Sequence, residues 1–291
     1  MTSNADSSSL PAGLSDLLET FRSPIASLEC LTTLPSGVRS HVAFKVQFAN
    51  GEVVKARQVE TAAQADRMRA IRRTSPDDHF PKILAHRGSA LIEEWIDGRP
   101  VQGEQPEPST LNESGRLLGL IHCTDPPEDY DFPPLATAEN RLAWLERQTR
   151  ELVERGEMSP REREKTIESA QRHKPDQCEG GLIHRDFCAE NLILDRNNRL
   201  HAVDNETMRL DVLDFDLART WYRWPMRADD WKAFLDGYRT RRSSKGFERH
   251  FLFWSLSALV DTFLYRVRAA TADPHFPYRR IRALLSEYAD D

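Results

Sequence analysis

The sequence predicts an α+β protein: a small strand-rich lobe with one helix, a short hinge, and a larger, mainly helical lobe with a few inserted strands. Three observations predict it. Residues 25–59 and 81–95 carry the pattern and composition of strands. Beyond Asp97-Gly98-Arg99-Pro100 the apolar residues shift to helical spacing, as with Leu111, Leu117, Leu118 and Ile121. From Gly181 short strands return between loops, and from Asp214 the chain reads as helices.

Residues 1–24 read as a polar tail followed by a short helix over 14–21. FKVQFANGEVVKARQV reads as a hairpin turning on Asn50-Gly51, the pair a type I′ turn prefers. Residues 61–73 follow as a helix with Ala, Met and Ile on one side. PKILAH and SALIEEW are two more strands around Arg87-Gly88, and EQPEPS is a polar connector. Helices are expected over 110–123, 139–156 and 159–171. Ser159 followed by Pro160 and Glu162 suits a helix start. Gly115-x-x-x-Gly119 in a soluble helix reads as close packing, and the apolar run 251–260 as a buried helix.

Composition excludes several classes. The chain has 291 residues, 39% hydrophobic and 30% charged, enough for one large domain or two fused lobes. Lys plus Arg is 40 against 46 Asp plus Glu, a net charge of -6 that argues against a dedicated nucleic-acid binder. Four cysteines, at 30, 123, 178 and 188, fit neither a disulfide scaffold nor a zinc ribbon. The apolar run at 251–260 is interrupted by Asp261 and is too short to span a bilayer. MTSNADSSSLPAG lacks the basic start and apolar core of a secretory signal. The expectation is a cytoplasmic protein with no membrane or nucleic-acid partner.

The chemistry concentrates in GLIHRDFCAENLILDRNNRLHAVDNE, residues 181–206. It reads as strand, loop, strand, hairpin turn, strand. His184, Asp186, Asn191 and Asp204 stand at strand ends or in the loop, and the hairpin returns Asp204 beside Asn191. An amide and a carboxylate together are hard oxygen ligands suited to Mg²⁺. Asp186 is then placed to accept a proton from a hydroxyl nucleophile.

This segment resembles the catalytic core of the protein-kinase-like superfamily, in its aminoglycoside phosphotransferase and choline kinase branch. His184, Arg185, Asp186 and Asn191 meet the His-Arg-Asp-x-x-x-x-Asn spacing. Asp204-Asn205-Glu206 stands where protein kinases have Asp-Phe-Gly, a departure that favours the antibiotic-kinase branch, and Asp216-Leu217-Ala218-Arg219 fits a motif that follows there. Upstream, Lys55 takes the place of the phosphate-binding lysine, and LIEEWIDGRPV resembles the hinge.

The resemblance implies a two-lobed kinase-like fold: residues 25–97 for nucleotide binding, and 98–291 for the catalytic loop and acceptor site. It implies ATP, with GTP open, and Mg²⁺. Lys55 would hold the α- and β-phosphates, Asn191 and Asp204 the metal, and Asp186 the acceptor hydroxyl. The backbone of Glu94 and Ile96 would meet the adenine edge. The loop LPSGVRSH would cover the phosphates through Ser36, Gly37 and Ser40. Two residues depart from the pattern: Gln64 stands where a helix glutamate pairs with the lysine, and Glu93 is unusually polar for the back of an adenine pocket.

The implied activity is transfer of the γ-phosphoryl group to a hydroxyl of a small molecule: an aminoglycoside-like antibiotic, an amino alcohol or a sugar. His-Arg-Asp in place of His-Gly-Asp keeps a carbohydrate or lipopolysaccharide-sugar kinase open, and Gln64 and Glu93 keep open a non-catalytic nucleotide binder. Trp221, Tyr222 and Trp224 read as core packing, with an acceptor pocket for a quaternary ammonium group as the alternative. The basic run of Arg239, Arg241, Arg242, Lys245 and Arg249 reads as surface.

Overall fold

A computed structural model describes residues 10–31, 42–75, 79–101, 106–128, 130–133, 136–271 and 273–288. The expected phosphate-loop residues Ser36, Gly37 and Ser40 lie outside these. The expected α+β architecture is found, in two compact units. One comprises Met1–Glu104, Asp125–Asp131 and Ala189–Met208; the other comprises Gln105–Thr124, Phe132–Cys188 and Arg209–Asp291.

The first unit is built on an antiparallel sheet. Its strands β1 (Ile25–Cys30), β2 (Val42–Phe48), β3 (Val53–Gln58), β4 (Ile83–Arg87) and β5 (Ala90–Glu94) run in the order β1-β2-β3-β5-β4. Side chains alternate between faces along a strand. Phe44, Val46, Phe48, Val54, Ala56 and Ile92 therefore share one face, which packs on Leu14, Leu17 and Leu18 of α1 (Ala12–Leu18). Leu91 lies on the other face, against Ala65 and Met68 of α2 (Ala62–Thr74). Lys55, Arg57 and Glu93 share this second face, with Lys55 directly opposite Glu93 across β3 and β5.

The β2–β3 turn differs from the type I′ expectation. Phe48 N–H donates to Glu52 O at 2.8 Å, which closes a three-residue loop. Only Gly51 is left-handed, at φ 88°, and Asn50 is not. Asn50 instead accepts the Glu52 N–H on its side-chain oxygen at 3.0 Å. This is a turn followed by a glycine bulge, the three-residue solution for a hairpin.

A second sheet completes this unit: β6 (Gly98–Pro100) pairs with β8 (Leu192–Asp195), which pairs with β9 (Leu200–Ala202). Sequence spacing alone left β6 as hinge. The hairpin is tied to the first sheet's unit where Ala202 N–H donates to His79 O at 2.8 Å.

The second unit contains α3 (Pro108–His122), α4 (Ala138–Glu154), α5 (Pro160–Arg172) and the antiparallel pair β7 (Gly180–Ile183) and β10 (Arg209–Val212). Helices α6 (Leu213–Arg223), α7 (Ala228–Arg239), α8 (Lys245–Arg249), α9 (Phe251–Arg268) and α10 (Phe276–Glu287) follow. Ser159 caps α5 as expected, its hydroxyl accepting the Glu162 N–H while Glu162 reaches back to the Ser159 N–H. The apolar run at 251–260 lies in α9, the axis of this unit, and α4, α5, α6 and α10 pack around it.

Helices α3 and α7 cross so closely that a Cβ on Gly115 would lie 1.8 Å from Phe234 O, and one on Gly237 would lie 1.8 Å from Asn112 O. The glycine spacing at 115 is therefore a packing device. Gly115→Ala forces the helices apart and is expected to destabilise the protein by about 1–3 kcal/mol. A denaturant melt checks this: the midpoint falls while the slope m is unchanged.

Asp214, at the start of α6, accepts the Phe247 N–H, and burial together with the charge of Glu179 pushes its carboxyl from 3.8 up to about 7. The folded state therefore binds this proton more tightly than the unfolded chain. The stability linked to it is full below the unfolded value and is lost as pH rises through the folded one. Between pH 4 and 7 the melting temperature of wild type is expected to fall relative to Asp214→Asn, as thermal melts across that range will show. Parallel pH profiles for the two proteins would contradict it.

Candidate functional site

The face of the first sheet that looks toward α2 carries a cluster of charges. Lys55 Nζ donates to Asp204 Oδ1 at 2.7 Å. Arg57, two residues along β3 and so on the same face, donates through Nη2 to the same oxygen at 2.8 Å and through Nη1 to Glu206 Oε2 at 2.8 Å. Its Nε lies 3.3 Å from Glu93 Oε2. The Arg57 side chain is 4% exposed and that of Glu93 3%, so this pair is dry. Burial opposes the Arg57 charge, yet Glu93, Glu206 and Asp204 together hold its pKa above the usual arginine range. For Asp204, burial acts against the carboxylate, and Lys55 and Arg57 more than offset it, holding the group well below the usual range.

Asp204 reaches this position because the β8–β9 hairpin folds back as its sequence suggests. Leu192 pairs with Ala202, and Val203 N–H donates to Asn191 O at 2.8 Å. Asn191 and Asp204 are thus brought to the same end of one hairpin. Asp204 itself takes a left-handed conformation at φ 58°, uncommon for a residue with a Cβ. The donor set fits Mg²⁺: a buried amide and a carboxylate whose two cationic partners both bond Oδ1. Among the described residues no group of three or more His, Cys, Asp or Glu is placed to hold a metal.

Gln64, which stands where a helix glutamate pairs with the lysine, is engaged elsewhere. Gln64 caps the start of α2: its Oε1 accepts the Glu60 N–H at 3.1 Å, and its own N–H donates to the Thr61 hydroxyl oxygen at 3.1 Å. Asp66 pairs with Arg69 and His86. Glu60 contributes its backbone to the Gln64 contact. Asp204 is the bonded carboxylate instead. Glu93, expected to line the adenine pocket, is the partner of Arg57. Glu94 ends β5 with its N–H donated to Lys82 O at 2.8 Å, so its carbonyl is the backbone group it can offer a nucleotide; Ile96 lies in the segment after β5. Arg57 was missed in the sequence, although its two-residue offset from Lys55 placed it on the same strand face.

The second unit holds Asp186. Its Oδ1 accepts from Arg223 Nε at 2.9 Å, and Arg219 Nη2 stands 3.9 Å away. Both arginines project from α6 at i, i+4 spacing. The loop backbone before Asp186 is held by a buried carboxylate: Asp216 accepts the His184 N–H at 2.8 Å and the Arg185 N–H at 2.7 Å. Asp216 also meets His122 Nε2 at 3.1 Å, and His122 Nδ1 meets the Tyr238 hydroxyl at 2.9 Å. Burial pushes the Asp216 carboxyl up, but His122 and the backbone donor pull it below the usual range. Between these anchors Arg185 is forced to φ 71°. A glycine would take that conformation freely.

The α+β fold, with its strand-rich sheet unit and its helical unit, is shared with kinase-like phosphotransferases. The model of the phosphotransferase enzyme family matches residues 33–252, and the chain belongs to this family. Among solved structures, that of a thermostable mutant of the aminoglycoside phosphotransferase APH(4)-Ia, in a ternary complex with AMP-PNP and hygromycin B, superposes with a TM-score of 0.69 at 18% identity, covering 97% of this chain and 100% of that one. A macrolide 2′-phosphotransferase from Brachybacterium faecium gives 0.66 at 13% identity, covering 94% and 98%. Choline kinase from Cryptosporidium parvum gives 0.63 at 15% identity, covering 90% and 89%. At these identities the shared property is the fold. No curated protein matches in sequence. No helix among the described residues is long and apolar enough to cross a membrane.

Proposed function

We propose that the chain transfers the γ-phosphoryl group of ATP to a hydroxyl of a small molecule. The observation that carries this reading is the Lys55–Asp204 ion pair at 2.7 Å, with Asn191 delivered to the same place by the hairpin. A lysine beside a metal-type carboxylate suits a polyphosphate: the Lys55 ammonium would meet phosphate oxygens, and the Asp204 carboxylate and the Asn191 amide would hold Mg²⁺. When bound, the metal neutralises charge on the transferring group. Asp186 accepts the proton of the acceptor hydroxyl and orients its oxygen for attack. The carbonyl of Glu94 and the backbone of Ile96 meet the nucleotide base. In this reading residues 25–97 serve the nucleotide, residues 98–291 carry the catalytic loop and the acceptor site, and the enzyme works in the cytoplasm.

The test is transfer of label from γ-labelled ATP, and from GTP in parallel, to a panel of amino, neutral and acidic hydroxyl compounds, with the products identified. Nucleotide binding with neither transfer nor hydrolysis would replace this reading by the non-catalytic one.

A further inference from the structure

The surroundings of Asp186 bear on which small molecules the enzyme accepts. Tyr222, next to Arg223 on α6, is 4% exposed, and its hydroxyl is buried with no hydrogen-bond partner. An unmet buried hydroxyl costs about 1–3 kcal/mol, so it calls for an explanation. Arg219, Arg223, Arg266 and Arg280 all act on this hydroxyl electrostatically. They come from three helices, α6, α9 and α10. Among the described residues, Asp186 bonds Arg223 at 2.9 Å and Asp261 bonds Arg219 at 2.6 Å, while Arg266 donates to the Asp273 backbone carbonyl at 3.0 Å. Arg280 bonds no carboxylate among the described residues; its guanidinium lies 4.1 Å over the Trp221 ring and 5.6 Å from that of Tyr222. Glu287 acts on it only through space.

Two consequences follow. The Trp221 face that a quaternary ammonium group would need is already covered by the protein's own cation. A polycationic acceptor brought beside Asp186 would also meet a concentration of positive charge, which repels it. An anionic group is attracted, and it supplies the acceptor that the Tyr222 hydroxyl and Arg280 lack.

We propose that the acceptor is an anionic hydroxyl compound, a phosphorylated or carboxylated small molecule, whose charged group is held by Arg280, Arg266 and the Tyr222 hydroxyl while its hydroxyl meets Asp186. This rests on the phosphotransfer reading above and narrows its substrate class. Arg280 is a specificity residue in this scheme, and Arg223 links the anion site to the carboxylate that handles the proton.

The experiment uses the full chain and size-matched acceptors: a hexose, its amino sugar, its 6-phosphate and its acid. At low salt kcat/KM is expected to be at least about tenfold higher for an anionic member than for the neutral one, and lowest for the amino sugar. The phosphate and acid arms tell which anion the site prefers. Arg280→Gln is expected to raise KM for the anionic acceptor about tenfold with little change in kcat. Arg280→Lys keeps the charge and recovers part of the loss, which separates an electrostatic role from a packing one. Inorganic phosphate alone should raise the melting temperature of wild type more than that of Arg280→Gln. Preference for the amino sugar, or equal KM and equal phosphate stabilisation in wild type and Arg280→Gln, overturns the proposal. If no acceptor is phosphorylated but phosphate stabilisation still depends on Arg280, the anion site stands and the phosphotransfer reading falls. If transfer occurs with no charge preference, the reverse holds.

Discussion

Asp186→Asn is expected to slow phosphoryl transfer by about 10²–10⁴ while nucleotide affinity stays within about twofold. The amide keeps the shape of the carboxylate and can still accept from Arg223, whose Nε stands 2.9 Å from Oδ1. What it loses is the capacity to take a proton from the attacking hydroxyl. That loss falls on the chemical step, so kcat and kcat/KM should drop together. At about 1.4 kcal/mol per tenfold, the effect is about 3–6 kcal/mol of transition-state stabilisation. Single-turnover transfer with the best acceptor, beside a nucleotide titration of the same variant, measures both quantities. A variant that keeps a rate close to wild type would remove Asp186 from the chemistry.

Arg57→Met is expected to destabilise the protein by about 3–5 kcal/mol, the cost of leaving a buried charge without its partner. The stranded group is Glu93, 2% exposed in the middle of the sheet. Arg57→Lys should recover little, because an ammonium cannot reach Asp204, Glu206 and Glu93 with the fork of a guanidinium. Removing both charges, Arg57→Met with Glu93→Leu, is expected to restore much of the lost stability, since an apolar pair of similar size avoids the desolvation penalty. Denaturant melts of the three variants give the energies. A loss below about 1 kcal/mol for Arg57→Met would mean that solvent reaches the cluster.

The parts of the site that depend on local order were legible in the sequence. Period two put Lys55 on a strand face, and the short NLILD and RLHAVD segments announced the hairpin that pairs Leu192 with Ala202 and returns Asp204 to Asn191. The buried run in α9 was legible for the same reason, and the Gly115-x-x-x-Gly119 spacing announced close packing without naming α7 as the helix that approaches. What the sequence did not show are the contacts made across long separations. Nothing local says that Arg57 bonds residues about 150 positions away, or that Asp216 holds the backbone at 184 and 185. Gln64 was assigned to Lys55 by spacing, whereas the helix start claimed its amide first. Asn50-Gly51 misled in the same way: the dipeptide suits a two-residue turn, but the asparagine side chain bonds the Glu52 N–H and a third residue joins the loop.

The hairpin at 192–202 belongs to the strand-rich unit although most of the helical unit's start precedes it in the chain. Dissecting the gene at the end of the first hundred codons would therefore not liberate an intact strand-rich unit. Such a fragment would leave β6 without its neighbour and Lys55 and Arg57 without Asp204 and Glu206. To excise this half intact, an engineer would have to splice residues 125–131 and 189–208 back onto it through new linkers.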